Sequence, residues 1–144
     1  MLRWCGATVG KNVRMVSSAK IYGDFDLVVG NDVFISHEAL IFGPKGSTIT
    51  IEDHTVVGAR SILVTGQHEY TLNSPCIAGK GTYADIRICT GACIDTRSII
   101  VPGKTIGQMA HVAAGSVVTH DVPACCRVAG IPARVIKNFK ETEK

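Results

Sequence analysis

From Ile88 onward an aliphatic side chain recurs at every sixth position: Ile88, Ile94, Ile100, Ile106, Val112 and Val118. Three shorter trains keep the same interval: Val9, Met15, Ile21 and Leu27; Val29, Ile35 and Ile41; Ile51, Val57 and Leu63. The residue four places after an aliphatic is mostly small, as at Ala19, Ala39, Thr55, Ser61, Ala92, Ser98, Ala110 and Ser116. Glycine often follows the aliphatic directly, as in Val9-Gly10, Val29-Gly30, Val57-Gly58 and Ile106-Gly107. An amphipathic helix would space its apolar residues at offsets of three, four and seven, so this period excludes one. It predicts an all-β parallel solenoid instead: short strands joined by flat turns, with the aliphatic pointing into a narrow interior and the small residue beside a corner. Three hexads close one coil.

Residues that fall out of phase are expected to leave the solenoid. Leu27 to Val29 slips by two, and "GPKGSTIT" between Ile41 and Ile51 holds a short insertion. The longest break, "EYTLNSPCIAGKGTYAD", is expected to form an external loop over about 69–85, with His68 at its first hinge. Loops of that length inside compact domains are usually functional or disordered. After Val118, Pro123 and Pro132 argue against another regular coil, and the polar end is expected to be a short tail or helix.

Composition narrows the class. At 144 residues with 46% hydrophobic and 19% charged content, the chain suits one domain, 1–144, with a real core. Its net charge of +3 is scattered apart from Arg127, Arg134, Lys137 and Lys140. That is too little for a nucleic-acid footprint but enough to hold one phosphorylated small molecule. No apolar run approaches the ~18 residues of a membrane span, and "MLRWCGATVG" lacks the apolar segment of a secretory signal, so a cytoplasmic protein is expected. The cysteines, Cys5, Cys76, Cys89, Cys93, Cys125 and Cys126, include no C-x-x-C and are expected to be reduced thiols.

The repeat, the "T-x-x-H" from Thr65 to His68 before the long break, and the closing block "IIVPGKTIGQMAHVAAGSVVTHDVPACCRVAGIPARVIKNF" resemble the hexapeptide-repeat acyltransferases. The branch they resemble is that of sugar O-acetyltransferases such as the maltose and galactoside enzymes, and within the block "AGSVVT-x-D" followed by "AG-x-PARVI" is the most specific part. The resemblance implies a left-handed parallel β-helix, a homotrimer, and acetyl-CoA as acyl donor in a cleft between subunits. The residues themselves give only a parallel solenoid, since the general crossover rule favours the opposite hand.

His68 matches the family's catalytic histidine. Acetyl transfer from a thioester to a hydroxyl needs a base working near neutral pH to take the hydroxyl proton, which imidazole can do. Direct attack in a ternary complex then needs no covalent enzyme intermediate. On the donor side the resemblance implies CoA contacts at Thr96, Ala114, Thr119 and His120, with Arg134 and Lys137 meeting phosphates. His120 stands where the family usually has lysine. On the acceptor side the family's asparagine is replaced by Ser36, and its aspartate near Gly43 or Pro44 is missing; Ser36, His37, Glu38 and Glu69 are the candidate acceptor contacts. The short start, reaching the first coil within "MLRWCGATVGKNVRM", points toward polysaccharide-modifying relatives.

A metal is not expected, because no two histidines show the H-x-x-x-x-H spacing of zinc-binding β-solenoids; His54 and His111 are expected at solvated turn positions. The reading is a CoA-dependent O-acetyltransferase acting on a sugar or surface-polysaccharide precursor. An N-acetyltransferase acting on an amino sugar or amino acid, and a non-catalytic scaffold, are the alternatives.

Overall fold

The computed structural model of the chain describes residues 6–141. Five coils follow one another. The first holds β1 (Thr8–Val9), β2 (Arg14–Met15) and β3 (Lys20–Gly23); the second β4 (Asp26–Val29), β5 (Phe34–Ile35) and β6 (Leu40–Gly43); the third β7 (Thr48–Ile51), β8 (Val56–Val57) and β9 (Ile62–Val64). After a hairpin of β10 (Gly66–Tyr70) and β11 (Ala78–Tyr83) come β12 (Ile86–Ile88), β13 (Cys93–Ile94) and β14 (Ile99–Ile100), then β15 (Thr105–Ile106), β16 (His111–Val112) and β17 (Val117–Val118). The chain closes with β18 (Cys126–Gly130), β19 (Ala133–Asn138) and a 3-10 turn at Phe139–Glu141.

The first strands of the coils pair in parallel as one sheet, the second strands as another and the third strands as a third, giving a parallel β-helix of hexapeptide repeats. Register keeps the hexads in columns: Ile35 lies beside Val57, Val57 beside Ile94 and Ile94 beside Val112. Ile41, Leu63, Ile100 and Val118 form the next column. All eight are at most 1% exposed, so the periodic aliphatics are the core. The small residues fill the corners as expected, and their hydroxyls also satisfy corner carbonyls that would otherwise be buried unpaired. Ser61 Oγ donates to Asp95 O at 2.8 Å, Ser98 Oγ to Ala113 O at 3.1 Å and Thr55 Oγ1 to Glu52 O at 2.9 Å. The glycine after the aliphatic has a close-approach reason. A Cβ on Gly30 would lie 2.3 Å from Asp53 Oδ1, the atom that accepts the Asn31 amide at 2.7 Å and so ties two coils together.

Two phase breaks differ from expectation. The slip from Leu27 to Val29 does not leave the solenoid: both side chains are buried at alternate positions of β4, and Leu27 pairs beside Ile49, which pairs beside Ile86. Coils two to four simply carry a longer first strand, in which the period of two replaces the period of six. The long break does leave, but as an antiparallel hairpin that starts at Gly66 and is closed at its base by the Ala84 amide on Thr65 O at 3.0 Å. The C-terminal segment ends in the short helical turn, yet most of it is strand: β18 extends the second sheet beside β16 and β19 folds back antiparallel. Its aliphatics Val135 and Ile136 are exposed, so β19 shows no core periodicity in the sequence.

Cys5 lies outside the described residues, and the other cysteines are free thiols. Among the described residues no helix is long and apolar enough to cross a membrane.

One outer ion pair gives the coils an acid sensitivity. Burial works to raise the Glu52 carboxyl, but hydrogen bonds from Thr90 Oγ1 at 2.8 Å and the Thr90 amide at 2.9 Å, with the Arg87 guanidinium beside them, hold it below its ordinary value. A depressed folded pKa stabilises the fold fully above the unfolded Glu value of about 4.3 and is lost as pH falls through the folded value. Thermal melts are therefore expected to fall below pH ~4.3, and Glu52→Gln to melt lower than wild type at pH 7 but to lose less on acidification.

Candidate active site

The end of the second coil and the hairpin that follows the third build a cleft of about 550 Å³ at the corner between the third and first sheets. One wall is the end of β6 and the turn beyond it, with Phe42, Gly43, Pro44 and Lys45; the other is Gly66, Gln67 and His68 of β10 with Gly81, Thr82 and Tyr83 of β11. A buried pair of hydroxyls, Ser47 Oγ and Thr65 Oγ1 at 2.7 Å, pins the turn to the start of the hairpin. The volume lies within the ~300–1,000 Å³ of small-molecule sites.

His68 is exposed on β10 opposite Gly81, where the pairing register shifts between His68 and Tyr70. Such irregularities re-aim side chains and are frequent beside active sites. His68 Nδ1 stands 3.1 Å from the carbonyl oxygen of Gly79. A carbonyl can only accept, so this contact puts the proton on Nδ1 and leaves the Nε2 lone pair open. The ring is thus oriented by backbone, not by Glu69, which lies at the register shift and outside the cleft lining.

The other candidate contacts are spread over a second corner and over later coils. Ser36, His37 and Glu38 follow β5 at the corner between the second and third sheets, away from His68 within the chain. There Glu38 pairs with Arg60, whose guanidinium holds the carboxyl below its usual range, while the Glu38 amide donates to Ser18 Oγ at 3.2 Å. Thr96 and Ala114 stack at the same corner two and three coils further on, with the Gly115 amide on Thr96 O at 2.9 Å. Thr119 and His120 follow β17, and His120 joins Arg134 in a second cleft of about 280 Å³ walled by Val122, Val128 and Val135. Lys137 lies in β19 rather than in a tail, with its Nζ 5.5 Å from the centre of the Phe139 ring.

His111 corrects another expectation. It is a strand residue of β16, half-buried, and its Nε2 is 2.8 Å from Asp95 Oδ2. The hexad places the residue just before each inward aliphatic on the strand's outer side, so position 111 was legible as strand; only its polar character suggested a turn. Sequence reasoning also missed Phe42, Lys45, Thr82 and Tyr83. The available signal was the "GPKG" interruption, which falls at the same corner one coil before the long break.

The comparisons agree with this architecture. No protein-family model matches the chain. The chain is 32% identical over 149 aligned residues to WcaF of Escherichia coli (strain K12), named as a colanic acid biosynthesis acetyltransferase, covering 99% of this chain and 75% of that one. It is 30% identical to the galactoside O-acetyltransferase of the same organism, covering 96% and 66%. A shorter match, 39% identical over 82 residues, covers 57% of this chain and 30% of a 2,3,4,5-tetrahydropyridine-2,6-dicarboxylate N-acetyltransferase of Clostridium perfringens (strain SM101 / Type A). Among solved structures, a hexapeptide-repeat-containing acetyltransferase of Vibrio cholerae O1 biovar eltor, complexed with acetyl coenzyme A, superposes with a TM-score of 0.71 at 28% identity, over 89% of this chain and 71% of that one. With its columns of buried hexads and a relative 32% identical along 99% of the chain, the chain belongs to the hexapeptide-repeat acetyltransferase family.

Proposed function

We propose that the protein transfers an acetyl group from acetyl-CoA to a hydroxyl of a sugar or surface-polysaccharide precursor, with His68 as general base. The observation that carries this reading is His68 in the lining of the cleft with its Nδ1 committed to the Gly79 carbonyl at 3.1 Å, which leaves Nε2 as the ring nitrogen that can accept a proton. The acceptor hydroxyl gives its proton to Nε2 while its oxygen attacks the thioester carbonyl. The tetrahedral adduct collapses, the C–S bond breaks, and the departing CoA sulfur takes the proton back from the imidazolium. Phe42 and Tyr83 offer apolar surface beside the base, which suits the C–H face of a sugar ring. The work is that of a cytoplasmic enzyme supplied with CoA thioester.

The donor is held at the last coils. Thr96 and Ala114 line one corner with small side chains that let a pantetheine arm run close, and His120, Arg134 and Lys137 meet the phosphates. These positions are divided between two corners of one chain, which supports a cleft completed by a neighbouring copy in a homotrimer. Arg134→Ala is expected to raise KM for acetyl-CoA about tenfold, the equivalent of ~1.4 kcal/mol of lost phosphate contact, with kcat little changed. Steady-state kinetics against acetyl-CoA reads this directly; an unchanged KM removes Arg134 from the donor site.

The shorter match to an N-acetyltransferase favours a second reading, transfer to an amine on the same site. A screen of released CoA thiol across hydroxyl and amino acceptors separates the two. Turnover with neutral or acidic sugars supports the hydroxyl reading, and turnover with amino sugars or amino acids alone replaces it.

A further inference from the structure

Away from the cleft, one cluster of three side chains has no part in the acetyl transfer described above. Cys93 and His111 are register partners on the neighbouring parallel strands β13 and β16, so they stand side by side on the outer face of the second sheet. Asp95, two residues beyond Cys93, projects to the same side. All three are half-buried, and one ligand atom from each lies within 4.8 Å of the others. Cys93 Sγ is 3.8 Å from Asp95 Oδ1, and His111 Nε2 is 2.8 Å from Asp95 Oδ2.

We propose that Cys93, Asp95 and His111 form a binding site for a divalent transition metal of the zinc class. Around tetrahedral zinc, with bonds of about 2.0–2.3 Å, ligand atoms stand roughly 3.3–3.7 Å apart, so side-chain rotation alone closes this triad onto an ion. The backbone distances are already fixed by the strand register. Thiolate, imidazole and carboxylate together suit zinc or cobalt and not magnesium or calcium, which take oxygen ligands. Three protein ligands leave one position for water or an exogenous ligand. Thiolate is the ligand form of cysteine, so an incoming ion releases the Cys93 proton to solvent. Arg127, register partner of His111 on its other side, is the neighbouring cation. Thiolate, carboxylate and a divalent ion sum to zero charge, so the loaded site presents no net charge to Arg127. The ligands span coils four and five, and a bound ion would clamp them beside the corner that carries Thr96 and Ala114.

The test is titration of the purified full chain with Co²⁺ alone, followed by competition with Zn²⁺. The expected result is one Co²⁺ per chain with a thiolate-to-cobalt charge-transfer band in the near ultraviolet. Losing a group that merely orients a ligand already costs up to about 100-fold in affinity, so Cys93→Ser is expected to abolish the band and weaken binding by at least about 100-fold, and His111→Gln to weaken it similarly. Circular dichroism checks that the variants fold. Should they not, alkylation of the wild-type chain mapped by peptide mass reads the same point, with Zn²⁺ expected to protect Cys93. Absence of stoichiometric binding, a band unchanged in Cys93→Ser, or alkylation of Cys93 unaffected by Zn²⁺ would each overturn the site.

Discussion

Replacing His68 with alanine is expected to lower kcat for acetyl transfer by about 10²–10⁴-fold, the usual contribution of a positioned general base. The fold should not notice. His68 is exposed on the hairpin, its side chain is held by a hydrogen bond to the Gly79 carbonyl, and none of the buried columns includes it. His68→Gln is the sharper variant, because an amide can still donate to Gly79 O but cannot take a proton from the acceptor. Both variants should keep wild-type KM for acetyl-CoA, since the donor contacts are proposed at other residues, on the last coils. Steady-state rates with matched melting curves check the prediction, and retention of most of the activity in either variant would remove His68 as the base.

Leu63→Ala is expected to cost about 2–5 kcal/mol of stability, the range for emptying a buried leucine site. Leu63 is fully buried between Ile41 on one coil and Ile100 on the next, in a column where each neighbour is held by its own strand ladder. The surrounding chains therefore cannot close the cavity by sliding inward, which puts the cost toward the upper part of that range. Leu72, 90% exposed on the hairpin, is the control, and its alanine variant should be nearly neutral. Denaturant unfolding must compare the variants at one protein concentration, because the proposed trimer would shift the midpoint by mass action. A loss below about 1 kcal/mol for Leu63→Ala would contradict the stacked-column core.

The columns were legible because in a parallel ladder each coil repeats the environment of the one before, so one period written along the chain becomes one line through the core. Ile94 and Val112 are neighbours in space for the reason they are in phase in the sequence. The slip at Leu27 and Val29 misled because a strand lengthened by two residues changes phase without changing direction. His68 was legible through a short motif, but its partner was not: the Gly79 carbonyl is backbone, and backbone acceptors carry no residue-type signal. Lys45 and Tyr83 were invisible for a related reason, since two excursions separated in sequence share a cleft only once the register of β6 and β9 is known. The contact between Cys93 and His111 likewise depends on register, one coil apart, and no short spacing motif spans it.

If His68 deprotonates a hydroxyl, the product carries an ester, so the linkage in the product is the measurement to make. The protein is incubated with acetyl-CoA and a sugar acceptor, and the acetylated product is isolated and treated with mild alkali. An ester, cleaved by that treatment and absent when His68→Ala replaces the wild type, is the expected result. An alkali-stable amide, or an ester formed equally well without His68, would contradict it.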